Sequence, residues 1–369
     1  MSYLDRILRS VTPYDASDKV PLREFQRAQF GQNARHADDA FEDWLFRRNP
    51  NAEGPTLWIS KRDGVVVGQQ GILPVRLKVD DAEYRAAWLI DLMVHPDWRL
   101  KGIAPALLQT SAASTDIMLG LGVEDEAYKT LNRRGWTEIT RMSYFVRPLV
   151  PKACGAGLNA PKLLTQLAPE VLFRGSAALA GSVMRIASGA ELEPVAAFDE
   201  RADAIWALAS RDYPIVARRD LTWLGWRFDD APQRGLYSRY YLRRKGAVVG
   251  YAVTRLKNWN GYTAANVVDY FAPRESLAPL LALIFRELNR QGAVAVFVDQ
   301  VHSGTETTLK ALGCLRVRAS WRFMYDVADR GSARAARLAD VASWHVTPAD
   351  SDYEHIVITA EEEEHGAPA

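Results

Sequence analysis

The sequence predicts a mixed α/β fold built from two copies of one unit, each a mixed, largely antiparallel sheet flanked by helices. Three observations lead to this prediction. Distinctive residues recur along the chain at constant spacing. Within each copy, strand patterns of period two come first, and strands alternating with helical patterns follow. The composition, 48% hydrophobic and 25% charged over 369 residues, is that of a globular protein of two or three domains.

The repeat is carried by tryptophan, proline and glycine positions. Four of them recur at one constant offset: Trp44 as Trp226, Pro50 as Pro232, Gly64 as Gly246 and Gly68 as Gly250. A slightly shorter offset relates Asp91 to Asp269 and Gly135 to Gly313. Because these residue types are infrequent, a duplicated unit of about 140 residues explains the pattern.

The elements of the first copy follow from local signals. Asp63 and Gly64 separate two strand-like runs, and this dipeptide favours the positive-φ turn of a hairpin. Gly135 follows a helical pattern, where a left-handed C-cap is expected. In order, we predict a helical stretch at 20–48, strands Leu57–Lys61, Val65–Val79 and Trp88–Val94, a helix Ala104–Leu119, a short strand, a helix Glu124–Arg134 and a last strand.

The second copy shows the same order. A helical stretch at 200–228 precedes strands, and we predict a buried strand at Ala265–Phe271, helices at Leu277–Asn289 and Thr305–Leu312, and a C-cap at Gly313. Between the copies lies an Ala-, Gly- and Pro-rich segment whose stretch Pro161–Ala187 predicts linker helices. The predicted domains are therefore 1–147, a linker at 148–193, a second domain at 194–330 and a C-terminal extension at 331–369.

Composition excludes several classes of protein. Lys and Arg number 46 against 45 Asp and Glu, so the net charge of +1 gives no broad attraction to nucleic acid. Cys154 and Cys314 cannot form a disulfide framework, and the N-terminus lacks the apolar run of a signal peptide. No run is apolar enough to span a membrane, and the six histidines lack metal-ligand spacing. We therefore expect a cytoplasmic protein with no membrane span, no nucleic-acid partner and no metal; the oligomeric state is unknown.

The stretch Trp88–Leu108 carries the chemistry. A buried strand ends at Val94, and Arg99-x-x-Gly102-x-Ala104 opens a helix. Small residues let the backbone approach a ligand, and the N–H groups of the first helical turn favour an anion. A plain strand–turn–helix with a basic surface loop is the alternative that the spacing leaves open.

Here the sequence resembles the GNAT acyltransferase superfamily, on the run Asp91-Leu92-Met93-Val94-His95-Pro96-Asp97-Trp98-Arg99-Leu100-Lys101-Gly102-Ile103-Ala104. The resemblance implies that the pyrophosphate of acetyl-CoA, or of another acyl-CoA as co-substrate, binds Arg99, Leu100, Lys101, Gly102, Ile103 and Ala104. It implies that the backbone of Leu92, Met93 and Val94 pairs with the pantetheine arm and polarises the thioester. The second copy resembles the family more faintly. It lacks the glycine loop, which indicates a degenerate, non-catalytic half.

Three residues are candidates for acid–base work. Many family members have a tyrosine where this chain has Leu131, so Tyr128, nearly one turn earlier, is a candidate acid. Asp91 and Glu124 are candidate bases. The persistence of Asp269 in the second copy leaves a structural role open for Asp91. The alternative role of Glu124 is to complement the dipole of the helix that it begins. The alternative for Tyr128 is a purely structural side chain packed between helix and sheet.

We hypothesise an N-acyltransferase that moves an acetyl or other acyl group from coenzyme A to a primary amine of a small molecule. The C-terminal stretch Trp344–Tyr353 resembles the tail of bacterial tandem GNAT proteins found beside polysaccharide genes, which suggests amino sugars or sugar nucleotides as acceptors. Two alternatives stay open. One is a Fem-type aminoacyl transferase that uses aminoacyl-tRNA, which the balanced charge supports little. The other is a pseudo-acyltransferase that binds coenzyme A without turnover.

Overall fold

The computed structural model describes residues 7–31, 35, 38–157, 170–356 and 358. The described residues form two compact units, each assembled from separate stretches of chain. The first unit takes its residues from 1–140, 321–340 and 351–369, and the second takes its residues from 141–320 and 341–350. Each unit contains a mixed sheet with flanking helices, which confirms the predicted α/β class.

The strands, in chain order, are β1 (Val11–Pro13), β2 (Leu57–Arg62), β3 (Val65–Val79), β4 (Ala82–Val94), β5 (Ile117–Leu121), β6 (Thr137–Pro148), β7 (Ala190–Val195), β8 (Ile215–Ala217), β9 (Tyr237–Arg244), β10 (Ala247–Trp259), β11 (Tyr262–Phe271), β12 (Ala295–Gln300), β13 (Leu315–Asp326) and β14 (Trp344–His345). The helices are α1 (Lys19–Phe30), α2 (Asp39–Glu42), α3 (Ile103–Ala112), α4 (Asp125–Arg133), α5 (Pro151–Gly157), α6 (Glu170–Ser188), α7 (Arg201–Ala209), α8 (Leu221–Leu224), α9 (Arg274–Arg290), α10 (Ser303–Ala311) and α11 (Ala333–Leu338).

The first unit contains antiparallel strands β1 to β4, with β5 parallel to β4 and β13 antiparallel to β5. The second unit contains the antiparallel strands β7, β9, β10 and β11, with β12 parallel to β11 and β6 antiparallel to β12. Residues 141–148 of β6 therefore belong to the second unit, whereas Phe323–Asp326 of β13 pair with β5 in the first.

Both predicted hairpin and cap signals are confirmed. Asp63 and Gly64 join β2 to β3 with φ values of 49° and 81°, the positive pair that a two-residue hairpin turn requires. Lys245 and Gly246 do the same between β9 and β10, with φ values of 51° and 85°. Gly135 and Gly313 follow α4 and α10 with φ values of 89° and 78°.

Two predicted helix boundaries were wrong. The helix predicted to reach Leu119 ends at Ala112, because the apolar run Ile117–Leu121 is buried as strand β5 beside β4. Helix α9 begins at Arg274, three residues before the predicted Leu277. Helix α6 coincides with most of the predicted linker helix, and residues 161–169 of that prediction lie outside the described residues.

The core of the first unit sets the position of β4 against α3. Ala87 on β4 and Leu107 on α3 are both 0% exposed in one apolar cluster. Ile103, at the start of α3, belongs to the same cluster, so the first helical turn is anchored to the sheet. Among the described residues, none of the helices combines the length and apolar character needed to cross a bilayer.

Candidate functional site

The connection between β4 and α3 is an open loop that ends in a left-handed residue. A short 3-10 turn at Pro96–Trp98 follows β4, and Gly102 then caps α3 with φ of 85°. A Cβ at Gly102 would lie 3.0 Å from Ile7 Cδ1, so glycine meets both the backbone and the space required there. Leu100 also has a positive φ, 60°, and its side chain is fully exposed. The loop thus holds two left-handed residues, Leu100 and Gly102, directly before the N-terminus of α3.

Basic side chains surround this helix terminus. Lys101 Nζ lies 4.8 Å from the centroid of the Trp98 ring, and the Arg62 guanidinium lies 5.7 Å from the same ring. Arg99 Nε donates to the carbonyl oxygen of Val94 at 3.4 Å. Three cations near the positive end of a ten-residue helix make a site suited to a phosphate group. Arg62 was missed by the sequence reasoning, because only the fold brings the end of β2 to the Trp98 ring.

Close packing of β3 on α3 fixes how near the start of the helix lies to the sheet. A Cβ on Gly68 would lie 2.8 Å from Ile103 Cγ2 and 3.2 Å from Leu107 Cδ1. Only glycine allows this approach without displacement of the helix. Gly68 therefore sets where the first turn of α3 presents its N–H groups.

Strand β4 carries a bulge just before the loop. Gly71 pairs with Ile90 and Gln69 pairs with Met93, so Asp91 and Leu92 lie opposite the single residue between them on β3. Asp91 has φ of 54°, in the left-handed region.

The far half of β4 diverges from its other neighbour. The parallel register of β4 with β5 covers Ala86–Trp88 alone, so residues 89–94 continue beyond it. A strand edge that leaves its partner next to a bulge can offer backbone groups to a ligand.

The Asp91 carboxylate is held in a buried ionic cluster. Arg35 Nη2 donates to Asp91 Oδ1 at 2.9 Å and to Asp352 Oδ2 at 2.5 Å. Burial opposes the charge on Arg35, but Asp91 and Asp352 outweigh it and raise the pKa of the guanidinium. Arg35 and Asp352 were not predicted from the sequence, since neither lies in a motif and tertiary folding alone brings them to Asp91.

The comparisons with known proteins agree with this geometry. Residues 10–117 match the family model described as acetyltransferase (GNAT) domain, a stretch that contains β4, the loop and α3. Over this stretch the chain is similar to GNAT acetyltransferase domains. A search of curated proteins finds no sequence match.

Solved N-acyltransferases share the fold at low sequence identity. N-myristoyltransferase of Saccharomyces cerevisiae with bound myristoyl-CoA is 12% identical, with 85% of this chain and 82% of that chain covered and a TM-score of 0.54. A GCN5-related N-acetyltransferase from Anabaena variabilis is 13% identical, with 86% and 72% covered and a TM-score of 0.55. A probable N-acyltransferase of unknown function from Enterococcus faecalis is 10% identical, with 86% and 72% covered and a TM-score of 0.59.

The three residues predicted for acid–base chemistry lie on two elements. Asp91 is on β4. Glu124 occupies the N-cap position of α4, with an exposed side chain that makes no capping hydrogen bond, and Tyr128 lies half-buried in the middle of α4. The guanidinium of Arg322 stands 4.6 Å from the centroid of the Tyr128 ring. Leu131 is 0% exposed in the apolar core.

His95 belongs to the loop itself. Its Nδ1 accepts from the backbone N–H of Asp97 at 3.3 Å, at the start of the short 3-10 turn. No group of three or more His, Cys, Asp or Glu side chains in the described part of the chain is placed to hold a metal ion.

Proposed function

We propose that the protein is an N-acyltransferase that moves an acyl group, most simply acetyl, from coenzyme A to a primary amine of a small molecule. The observation that carries the proposal is Gly102 in the left-handed conformation at the start of α3, with basic residues beside it and the bulged β4 before it. The GNAT domain match at 10–117 and the fold of the solved N-acyltransferases support it.

The chain's own groups fit a diphosphate. The N–H groups of the first turn of α3 and the dipole of this helix favour negative charge. The loop residues that would hold the coenzyme A diphosphate are Arg99, Leu100, Lys101, Gly102, Ile103 and Ala104. The backbone of Leu92, Met93 and Val94, beyond the register with β5, would pair with the pantetheine arm. Acyl-CoA supplies the acyl group already activated as a thioester.

The reaction needs little more than positioning and charge stabilisation. The amine lone pair attacks the thioester carbonyl carbon, a C–N bond forms and the C–S bond breaks. One proton leaves the amine nitrogen and one reaches the departing sulfur. Backbone N–H groups at the bulge would stabilise the negative charge that develops on the carbonyl oxygen.

Two side chains are proposed for the proton transfers. Glu124 is exposed at the start of α4 and can accept the amine proton, directly or through water. Tyr128, one turn along the same helix, is the proposed donor to sulfur. The Asp91 carboxylate is paired with Arg35, so we propose that Asp91 shapes the bulge and does not transfer a proton.

Binding and turnover test the proposal separately. Calorimetry with acetyl-CoA and longer acyl-CoAs should show saturable binding. Thiol release across a panel of amines, with amino sugars and sugar nucleotides included, should show turnover with at least one of them. Absence of acyl-CoA binding by the intact protein would contradict the proposal.

Leu131 favours a second candidate function, which is to bind coenzyme A without turnover. The resemblance places a tyrosine there in many family members, and here the position is an apolar core residue. Acyl-CoA binding without thiol release from any amine would favour a protein that binds coenzyme A without turnover.

A further inference from the structure

We propose that Asp352, far beyond the stretch matched by the family model, is a positioning residue for acyl transfer: through Arg35 it holds the bulge of β4. The inference rests on the proposed function for its catalytic consequence, and on geometry alone for the positioning itself.

The three side chains form a chain of contacts shielded from water. The side chains of Arg35, Asp91 and Asp352 are 8%, 4% and 6% exposed. One guanidinium nitrogen, Nη2 of Arg35, serves both carboxylates, and Nη1 donates to the backbone oxygen of Asp352 at 3.4 Å. Asp352 therefore fixes the position of Arg35 at two atoms. In a buried cluster, removal of one partner leaves the others without compensation for lost hydration.

Asp91 needs such support because of its backbone. A left-handed φ is unfavourable for a non-glycine residue such as Asp91, and it persists where the surroundings enforce it. Arg35 holds the carboxylate, and the side-chain amide of Gln69 donates to the Asp91 carbonyl oxygen at 3.3 Å. Gln69 in turn accepts from Gln26 Nε2 at 3.2 Å. With both ends of Asp91 held, the direction of the backbone at Leu92 is set.

The segment that carries Asp352 is anchored in the same unit. The His355 ring lies 5.3 Å from the ring of Phe41 and 4.9 Å from that of Trp44. The Arg35 guanidinium stands 5.5 Å from the centroid of the same Phe41 ring. The packing of His355, three residues further along the chain, therefore holds Asp352 beside Arg35.

The experiment compares Asp352→Asn with a matched control, Asp350→Asn, in the full chain. Both aspartates are buried and both accept from an arginine Nη2, but Asp350 pairs with Arg219 at 2.6 Å in the second unit. Asp352→Asn should lower kcat about tenfold or more, a larger factor than any weakening of acyl-CoA binding. Asp350→Asn should leave kcat unchanged even if it lowers the thermal midpoint.

Two further readouts separate positioning from general damage. Asp352→Asn should speed amide hydrogen exchange at Leu92–Val94, and Asp350→Asn should not. Arg35→Gln should lower kcat as Asp352→Asn does, and the double variant should be no worse than either, since the two act as one unit.

The outcomes are distinct. Equal losses of kcat in both aspartate variants, unchanged exchange at Leu92–Val94, or a loss confined to acyl-CoA affinity would overturn the inference. A wild-type protein without turnover would defeat the proposed function, while the exchange measurement would still decide whether Asp352 positions the bulge.

Discussion

The edge of β4 in the first unit and the edge of β11 in the second have different neighbours. In both units a parallel register of three residues is followed by divergence: Ala86–Trp88 on β4, and Ala265–Val267 on β11. In the second unit, the chain's own C-terminal segment follows. Val301, just after β12, exchanges two backbone hydrogen bonds with Val346, at 2.9 and 3.1 Å.

That segment makes further contacts with the end of β11. The Thr347 hydroxyl donates to Asp269 Oδ1 at 2.8 Å, and His345 Nε2 lies 3.2 Å from the carbonyl oxygen of Tyr270. Residues Trp344 and His345 also pair as a parallel strand with β8. The second unit thus fills with protein the region that corresponds to the ligand edge proposed for β4.

The connections after the two strands also differ. Residues 95–102 separate β4 from α3, whereas Ala272 and Pro273 alone separate β11 from α9. A Cβ on Gly250 would lie 2.6 Å from Ala272 Cβ, so this short connection packs directly on β10. The same order of elements can therefore support an anion-binding loop or a closed turn, and the loop length decides which.

The two aspartates on these strands have different surroundings. Asp91 has a left-handed backbone and is paired with Arg35, whereas the φ of Asp269 is not positive. Asp269 accepts from the Tyr251 hydroxyl at 2.6 Å and lies 3.4 Å from Arg219 Nε. Burial, followed by the charge of Asp269, raises the pKa of Tyr251 well above its usual value. The contrast favours a structural role for Asp269 and a bulge-shaping role for Asp91.

The largest expected effect on acyl-CoA binding comes from a negative charge placed in the loop. Asp and Asn both tolerate a left-handed φ, so Gly102→Asp and Gly102→Asn differ mainly in charge. Gly102→Asp should weaken acyl-CoA binding by about a hundredfold, roughly 2.7 kcal/mol, and Gly102→Asn by far less. Calorimetry measures both.

The control for this pair is Gly261→Asp, at another left-handed glycine, with φ of 78° and open space around it, in the second unit. It should bind acyl-CoA normally. Binding that survives Gly102→Asp unchanged would show that the donor site lies elsewhere.

Acid should destabilise the second unit through His302. Burial, with help from Arg274, lowers the pKa of His302 from 6.5 to about 4. The folded unit keeps the ring neutral while the unfolded chain protonates near pH 6.5, so stability present above pH 6.5 falls by up to about 3 kcal/mol as the pH drops to 4.

A neutral replacement checks this pH dependence. His302 Nδ1 accepts from Thr305 N–H at 3.2 Å, and asparagine can keep this cap of α10. In His302→Asn, thermal midpoints measured from pH 7 to 4.5 should fall less steeply than in the wild type. An identical slope would show that His302 does not contribute.

Matched glycine variants sharpen the comparison of the two strands. Gly68→Ala places a Cβ against Ile103 and Gly250→Ala places one against Ala272, so each should cost about 1–3 kcal/mol of stability. Because only Gly68 supports the first turn of α3, only Gly68→Ala should also weaken acyl-CoA binding. Equal affinities in the two variants would contradict the role given to α3.

The smallest expected effect is that of Arg62. Its guanidinium lies over Trp98 beside the loop, so Arg62→Ala should weaken acyl-CoA binding about two- to fivefold, which is roughly 0.5–1 kcal/mol. High salt should reduce the difference from the wild type, because exposed charges are screened. The control is Arg48→Ala, whose side chain is 51% exposed; it should leave acyl-CoA binding unchanged.

Local signals in the sequence were enough for the elements around the site. The Asp63 and Gly64 pair between two strand-like runs favours a hairpin turn, and the residues from Val94 to Gly102 predict a strand, a loop and a helix start. The helix end near Leu119 was missed because a short apolar run suits a buried strand as well as a helix.

The ionic cluster could not be read from the sequence. Arg35 and Asp352 lie far apart in the chain, and no spacing rule connects a lone arginine to a lone aspartate. The Val301–Val346 pairing is equally non-local. Such contacts depend on tertiary packing, which one sequence does not reveal.

Hydrogen exchange of the full chain with and without acetyl-CoA is the most direct test of a donor site in the first unit. Bound acetyl-CoA should slow exchange at Leu92–Val94 and at 100–104 and leave it unchanged at Val268–Phe271 and Val346. Protection in the second unit, or no protection in the first under saturating acetyl-CoA, would contradict this placement of the donor site.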